Sequence, residues 1–209
     1  MVKDGDSMKK IICMVMMLLV IPFVCQAHYV YGYNPQRTNE AIKMVEDYFK
    51  KNYNLVLKKK LTFYVTTNTR QYRAYLQMGN MPNADELAEA TQAMTSGSDA
   101  IIINSEMMPN DLFRFVLAHE MVHQYQLENY SDPYSDMVMM EGKADLIASE
   151  ISKYKIEDVD FGIPYEALKT KDGYEKEALK NPKGVLRQVR FYAKQIPGFF
   201  PKQELAPAA

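Results

Sequence analysis

Histidine and cysteine are the residues this chain uses most sparingly. Only three histidines occur, His28, His119 and His123, and only two cysteines, Cys13 and Cys25. Both cysteines precede residue 28, so no disulfide framework is available to the rest of the chain. It must fold on its core alone or with a metal. Basic runs are equally short, none longer than Lys58-Lys59-Lys60, and 25 basic against 26 acidic residues leave a net charge of −1. That balance gives a polyanion nothing to bind, and no nucleic-acid partner is expected. No internal repeat or low-complexity stretch follows Ala27. At 209 residues there is room for one well-buried domain and little for a second.

The N-terminus carries an address. Met8-Lys9-Lys10 precedes the apolar run IICMVMMLLVIPFV (11–24) and then Cys25-Gln26-Ala27. A basic start, an apolar stretch and a small residue at its end predict a signal peptide over 1–27, cleaved after Ala27, with 1–7 as an upstream extension. The run is short for a transmembrane helix. No stable membrane span is expected after cleavage, and the protein is expected to be secreted or periplasmic, with 28–209 forming a single domain.

Periodicity supplies the elements. HYVYGYNPQ (28–36) reads as an extended lead-in, and Ala41, Ile42, Val45, Tyr48 and Phe49 space out an amphipathic helix from about 39 to 52. LTFYVT (61–66) reads as a strand. Residues 69–78 favour a helix weakly, and 84–90 favour one by propensity. Residues 91–95 and 100–104 flank Ser96-Gly97-Ser98-Asp99, a hairpin connection. A helix is expected from Asn110, as cap, to about Glu128, and it is apolar nearly all round, which marks it as buried. A second begins at Asp132-Pro133 and runs to about Tyr154. Two more occupy about 174–180 and 183–195, separated by Asn181-Pro182. The fold class is α+β.

The chemistry lies in FVLAHEMVHQYQL (115–127). His119 and His123 stand four apart, so their rings share one helix face and can grip one zinc ion at about 2.0–2.1 Å each. Glu120 is rotated off that face yet stays beside the metal, where it can take a proton from a zinc-bound water. The plain alternative is two satisfied histidines and a surface glutamate. A glutamate inside an all-round apolar helix, however, is costly to desolvate unless paired or metal-linked.

A catalytic zinc needs a third protein ligand and an open position. Gln126 and Asn129 stand where a metzincin extension would place a glycine and a third histidine, so that pattern is absent. The third ligand should be a carboxylate on another element. MMEGKADLI (139–147) supplies Glu141, with Asp145 one turn on to accept the free ring N–H of a ligating histidine. Gly142 would let that helix approach the metal helix closely. Glu128 is too near His123 along one helix to close a tetrahedron, and Glu150 lies about 13 Å beyond Glu141 along the other.

At these residues the chain resembles the gluzincins, the thermolysin-like and peptidase-MA-like zinc peptidases. Their pattern is HExxH followed on a downstream helix by a glutamate in an E-G-x-A or E-x-x-x-D setting. His119-Glu120-Met121-Val122-His123 and Glu141-Gly142-Lys143-Ala144-Asp145 satisfy both forms. Met140 departs from the aromatic residue many members carry there. The resemblance covers about residues 90–150. It implies a zincin-like fold, with a small mixed sheet packed on a buried HExxH helix and a second helix carrying the glutamate ligand. It also implies that 88–95 or 100–104 is the edge strand that pairs with a peptide or protein substrate.

The activity implied is zinc-dependent peptide hydrolysis, with one zinc per chain and Glu120 as general base. The aminopeptidase G-x-M-E-N strand is absent, so exopeptidase action has no local support. A tyrosine or arginine is expected at the oxyanion, with Tyr154, Tyr165, Arg187 and Arg190 as candidates. The competing reading is an exported binding or assembly protein that keeps a zincin scaffold without turnover. Intact Glu120 argues against it.

Overall fold

The structure, a computed structural model, describes residues 28–96 and 99–198. The expected signal peptide, and Gly97 and Ser98 of the hairpin connection, lie outside them. Among the described residues eight α-helices pack around one four-stranded sheet, an α+β arrangement. No helix there is long and apolar enough to cross a membrane.

The chain enters through β1 (Tyr29–Gly32), α1 (Pro35–Tyr53), β2 (Thr62–Thr66), α2 (Thr69–Met78) and α3 (Ala84–Ala90). It continues through β3 (Ala93–Ser96) and β4 (Ala100–Asn104). Sheet order is β1-β2-β4-β3, with β1, β2 and β4 parallel and β3 an antiparallel edge. Residues 28–36 are thus more than a lead-in, since β1 takes the other edge. His28 ties it down: its Nδ1 accepts from the Leu61 amide at 2.9 Å, and Nε2 lies 3.0 Å from Glu46 Oε1. α1 starts at Pro35, earlier than periodicity suggested, because Asn34 Oδ1 caps the Arg37 amide at 3.1 Å and proline suits the first turn.

Alternation in the strands sorts the two layers. Phe63, Val65, Ile101 and Ile103 face a core shared with α1, α4 (Asn110–Asn129) and α5 (Met137–Ser152). Ile102 turns the other way, into a smaller cluster under α2 and α3 with Tyr72 and Leu76. A strand buried on both faces reads as an unbroken apolar run, which is what Ile101-Ile102-Ile103 is. Phe49 of α1 stacks on Tyr125 of α4 with ring centroids 3.7 Å apart.

α4 has Asp111 in its first turn, where the helix dipole favours an acid. Asn110 does not cap it. Pro109 holds the cap position without a side-chain bond, and Asn110 is already helical. The next helix also starts later than Asp132-Pro133 implied. Pro133–Ser135 form a single 3₁₀ turn, and Asp136 is the working cap, its Oδ1 accepting from the Met139 amide at 3.2 Å.

The tail folds as α6 (Tyr165–Lys169), α7 (Lys171–Lys180) and α8 (Pro182–Gln195), closing a third apolar cluster around Val138, Leu168, Val185 and Val189. Gly142 belongs to that contact. A Cβ on it would lie 2.5 Å from both Val189 O and Ala193 Cβ of α8. The close approach that glycine permits is therefore to the tail helix α8 and not to α4.

Candidate metal centre

α4 brings His119 and His123 to the surface of α5 at Glu141. Nε2 of His119 lies 3.0 Å from Nε2 of His123 and 3.3 Å from Glu141 Oε2, and His123 Nε2 lies 3.6 Å from the same oxygen. These three atoms form a triangle that could hold a metal ion. The side chains of His119, His123 and Glu141 are 14, 10 and 18 % exposed, so the triangle sits in a largely buried setting.

The opposite ring nitrogens are both engaged. His119 Nδ1 is 2.8 Å from Asp145 Oδ1, one turn beyond Glu141 on α5. His123 Nδ1 is 2.7 Å from Gln126 Oε1. Gln126 is itself fixed, because its Nε2 donates to Met140 O at 2.9 Å, which turns Oε1 towards the ring. Both acceptors call for Nδ1–H, and the two Nε2 atoms are left with bare lone pairs facing one another. Such a pair repels unless a proton or a cation lies between.

Electrostatics point the same way. Burial opposes charge on His119, but hydrogen bonds and charge from Asp145 and Glu141 overturn it and hold its pKa well above the ordinary imidazole value. His123 is raised for a similar reason, with the Glu141 charge outweighing burial. Burial would raise the Glu141 carboxyl, yet the two imidazoles drive it far below the carboxylate range. With Glu120 alongside, three carboxylates surround two imidazoles. The cluster demands positive charge.

Glu120, 9 % exposed, projects from α4 towards the sheet edge, where Thr95 Oγ1 of β3 donates to its Oε2 at 2.8 Å. The competing carboxylates stand elsewhere. Glu128 accepts from the Lys58 amide at 2.9 Å, and Glu150 accepts from Tyr48 Oη at 2.7 Å.

The tyrosines and arginines singled out from sequence are mostly committed to packing. Tyr165 donates to Asp136, Tyr154 packs on Phe115 with centroids 5.4 Å apart, and Arg190 joins Asp158, Asp145 O and Ser149. Arg187 lies half-buried on α8. Two phenols that sequence reasoning passed over feel the site instead. Tyr134 is raised by burial and then by the charges of Glu141 and Glu120, and Tyr174 by burial and then by Glu141 and Asp145. Gln126 was also missed as a partner. Its position three residues after His123 on one helix was the available signal. Thr95 carried none, since its role depends on which strand lies over α4. No protein-family model, curated protein or solved structure matches the chain.

Proposed function

We propose that this protein is a zinc-dependent peptidase of gluzincin type on a zincin-like fold, exported by its N-terminal 27 residues. The reading rests on one observation: two histidine Nε2 atoms and a glutamate oxygen converge in a triangle of 3.0, 3.3 and 3.6 Å sides, with both Nδ1 atoms tied back. Ligands about 2.0–2.1 Å from a tetrahedral zinc stand about 3.3–3.4 Å from one another. The donor set fits as well, since two imidazoles and a carboxylate make up the three-ligand catalytic class that keeps one position open.

When bound, zinc supplies an acidified water and a polarised scissile carbonyl. The chain's own groups do the rest. His119, His123 and Glu141 hold the ion, and Asp145 and Gln126 fix the ring orientations. Glu120 takes the proton of the attacking water and delivers it to the leaving amine nitrogen. Tyr134 and Tyr174, whose phenols feel the charge of the same carboxylates, are the candidates to donate to the developing oxyanion. β3, the antiparallel edge that touches Glu120 through Thr95, is the strand a substrate peptide would extend.

The test is Glu120→Gln, which keeps shape and removes the base. The variant is expected to hold zinc as the wild type does and to lose hydrolysis of a peptide library by about 10²–10⁴. Equal cleavage by both proteins would defeat the mechanism. Zinc without turnover in either would favour the non-catalytic binding protein.

A further inference from the structure

Thr95 has a hydroxyl with one visible use. It sits on β3 opposite Ile101 of β4, which is fully buried, and paired residues share a face of the sheet. Alternation sends Met94 into the α2–α3 cluster and Ala93 into the main core, and Thr95 therefore shares the α4 side with Ala93. Its Oγ1 meets Glu120 Oε2 at 2.8 Å and makes no other hydrogen bond among the described residues. A β-branched side chain is stiff at χ1, so the hydroxyl is a firm point in space. Valine would fill the same volume on a half-buried strand without it.

Building on the peptidase reading, we propose that Thr95 is the positioning residue for Glu120. Its hydroxyl holds Oε2 and aims Oε1 at the open metal position, so that the base is set by the strand on which substrate is laid. A glutamate carboxylate, on three rotatable bonds, can point its lone pairs away from the water. Held at one oxygen by a neutral donor, it presents the other. The strand that would bind substrate and the group that would activate water are thus mechanically joined. A peptide pairing with β3 would steady Thr95 and, through it, the base.

The experiment compares Thr95→Val, Thr95→Ser and Glu120→Gln in the mature, metal-loaded chain, with two readouts. The first needs no turnover: the visible spectrum of the Co²⁺-loaded protein, which reports what faces the open metal position. Thr95→Val should shift it in the same direction as Glu120→Gln, Thr95→Ser should restore the wild-type bands, and Thr95→Val added to Glu120→Gln should change nothing further. The second is steady-state cleavage. Thr95→Val should lower kcat by about 10-fold, the scale of losing one hydrogen bond to a charged group, with KM nearly unchanged and kcat recovered in Thr95→Ser. A wild-type spectrum in Thr95→Val overturns the proposal, as does an effect on KM alone. If no protein turns over any peptide while the spectra behave as described, the peptidase reading fails and the Thr95–Glu120 coupling stands.

Discussion

At the scale of single residues, the site is governed by where protons sit. Asp145 and Gln126 hold Nδ1–H on the two rings, so Nε2 is free for a metal in both. Removing either partner lets its imidazole rotate or change tautomer. Asp145→Ala and Gln126→Leu should each weaken zinc binding by about 10–100-fold, whereas Glu150→Ala should leave it alone. Competition against a chromogenic chelator measures this, and wild-type affinity in both variants would contradict the assignment. The same protons set a pH dependence in the metal-free protein. The imidazoles are raised, so the stability they contribute is complete below their ordinary 6.5 and is lost as pH climbs through the raised values. Glu141 is lowered, so its share is complete above its ordinary 4.5 and is lost only in stronger acid. Metal-free protein should therefore melt highest between pH 4.5 and 6.5 and lower on the alkaline side. Zinc competes with those protons, so its stabilising effect should grow over the same alkaline range. Melting curves at stepped pH, with zinc and with chelator, check both signs. A metal-free Tm that climbs steadily to pH 9 would contradict them.

Helices and strands put those residues in place, and here the sequence was legible where local signals act alone. Cap signals and an all-round apolar run exposed α4 and α5, both histidines could be read from their four-residue spacing, and Glu141 from its place on the next helix. The alternation of β2 and the apolar run of β4 were equally plain. Boundaries failed where a tertiary partner decided them. Asp136 outcompetes Asp132 as a cap while Tyr165, arriving from α6, donates to its other oxygen. β1 was hidden because Tyr29, Tyr31 and Gly32 are exposed and give no inward alternation. Gly142 is the instructive case. Its missing side chain was legible as a sign of close approach, but nothing local says which helix approaches. The structure gives α8, and Gly142→Ala should act there. A methyl forced 2.5 Å from a backbone carbonyl must displace α8. Overpacking of this kind costs about 1–3 kcal/mol, or roughly 2–12 °C in Tm for a domain of this size. Zinc affinity should stay within about threefold of wild type, since effects at separate contacts are nearly independent. A variant with unchanged Tm but little zinc would place Gly142 at the metal helix after all.

For the whole molecule, an ion held in the triangle would also be a staple. α4 belongs to the core under the sheet, while α5 joins that core to the tail cluster through Val138 on its far side. Two ligands come from the first helix and one from the second, so an ion there ties the sheet layer to the element that carries the tail. No disulfide is available to do this in the expected mature chain, whose two cysteines would leave with residues 1–27. Without an ion, protons on the two imidazoles of α4 take its place against Glu141 and Asp145 of α5, and that substitute is lost as pH rises through their raised values. Zinc bound to the folded state alone stabilises it by about 2.7 kcal/mol at one hundred times Kd. At about 2–4 °C per kcal/mol, that raises Tm by roughly 5–11 °C. Chelator should reverse the rise. The double variant His119→Ala/His123→Ala should show no zinc response, and below pH 6.5 its own Tm should lie below that of metal-free wild type, because Glu141 and Asp145 lose their protonated partners. Differential scanning calorimetry reads all three. A double variant that still gains several degrees from zinc would place the ion, and the link between the two halves of the fold, somewhere other than this triangle.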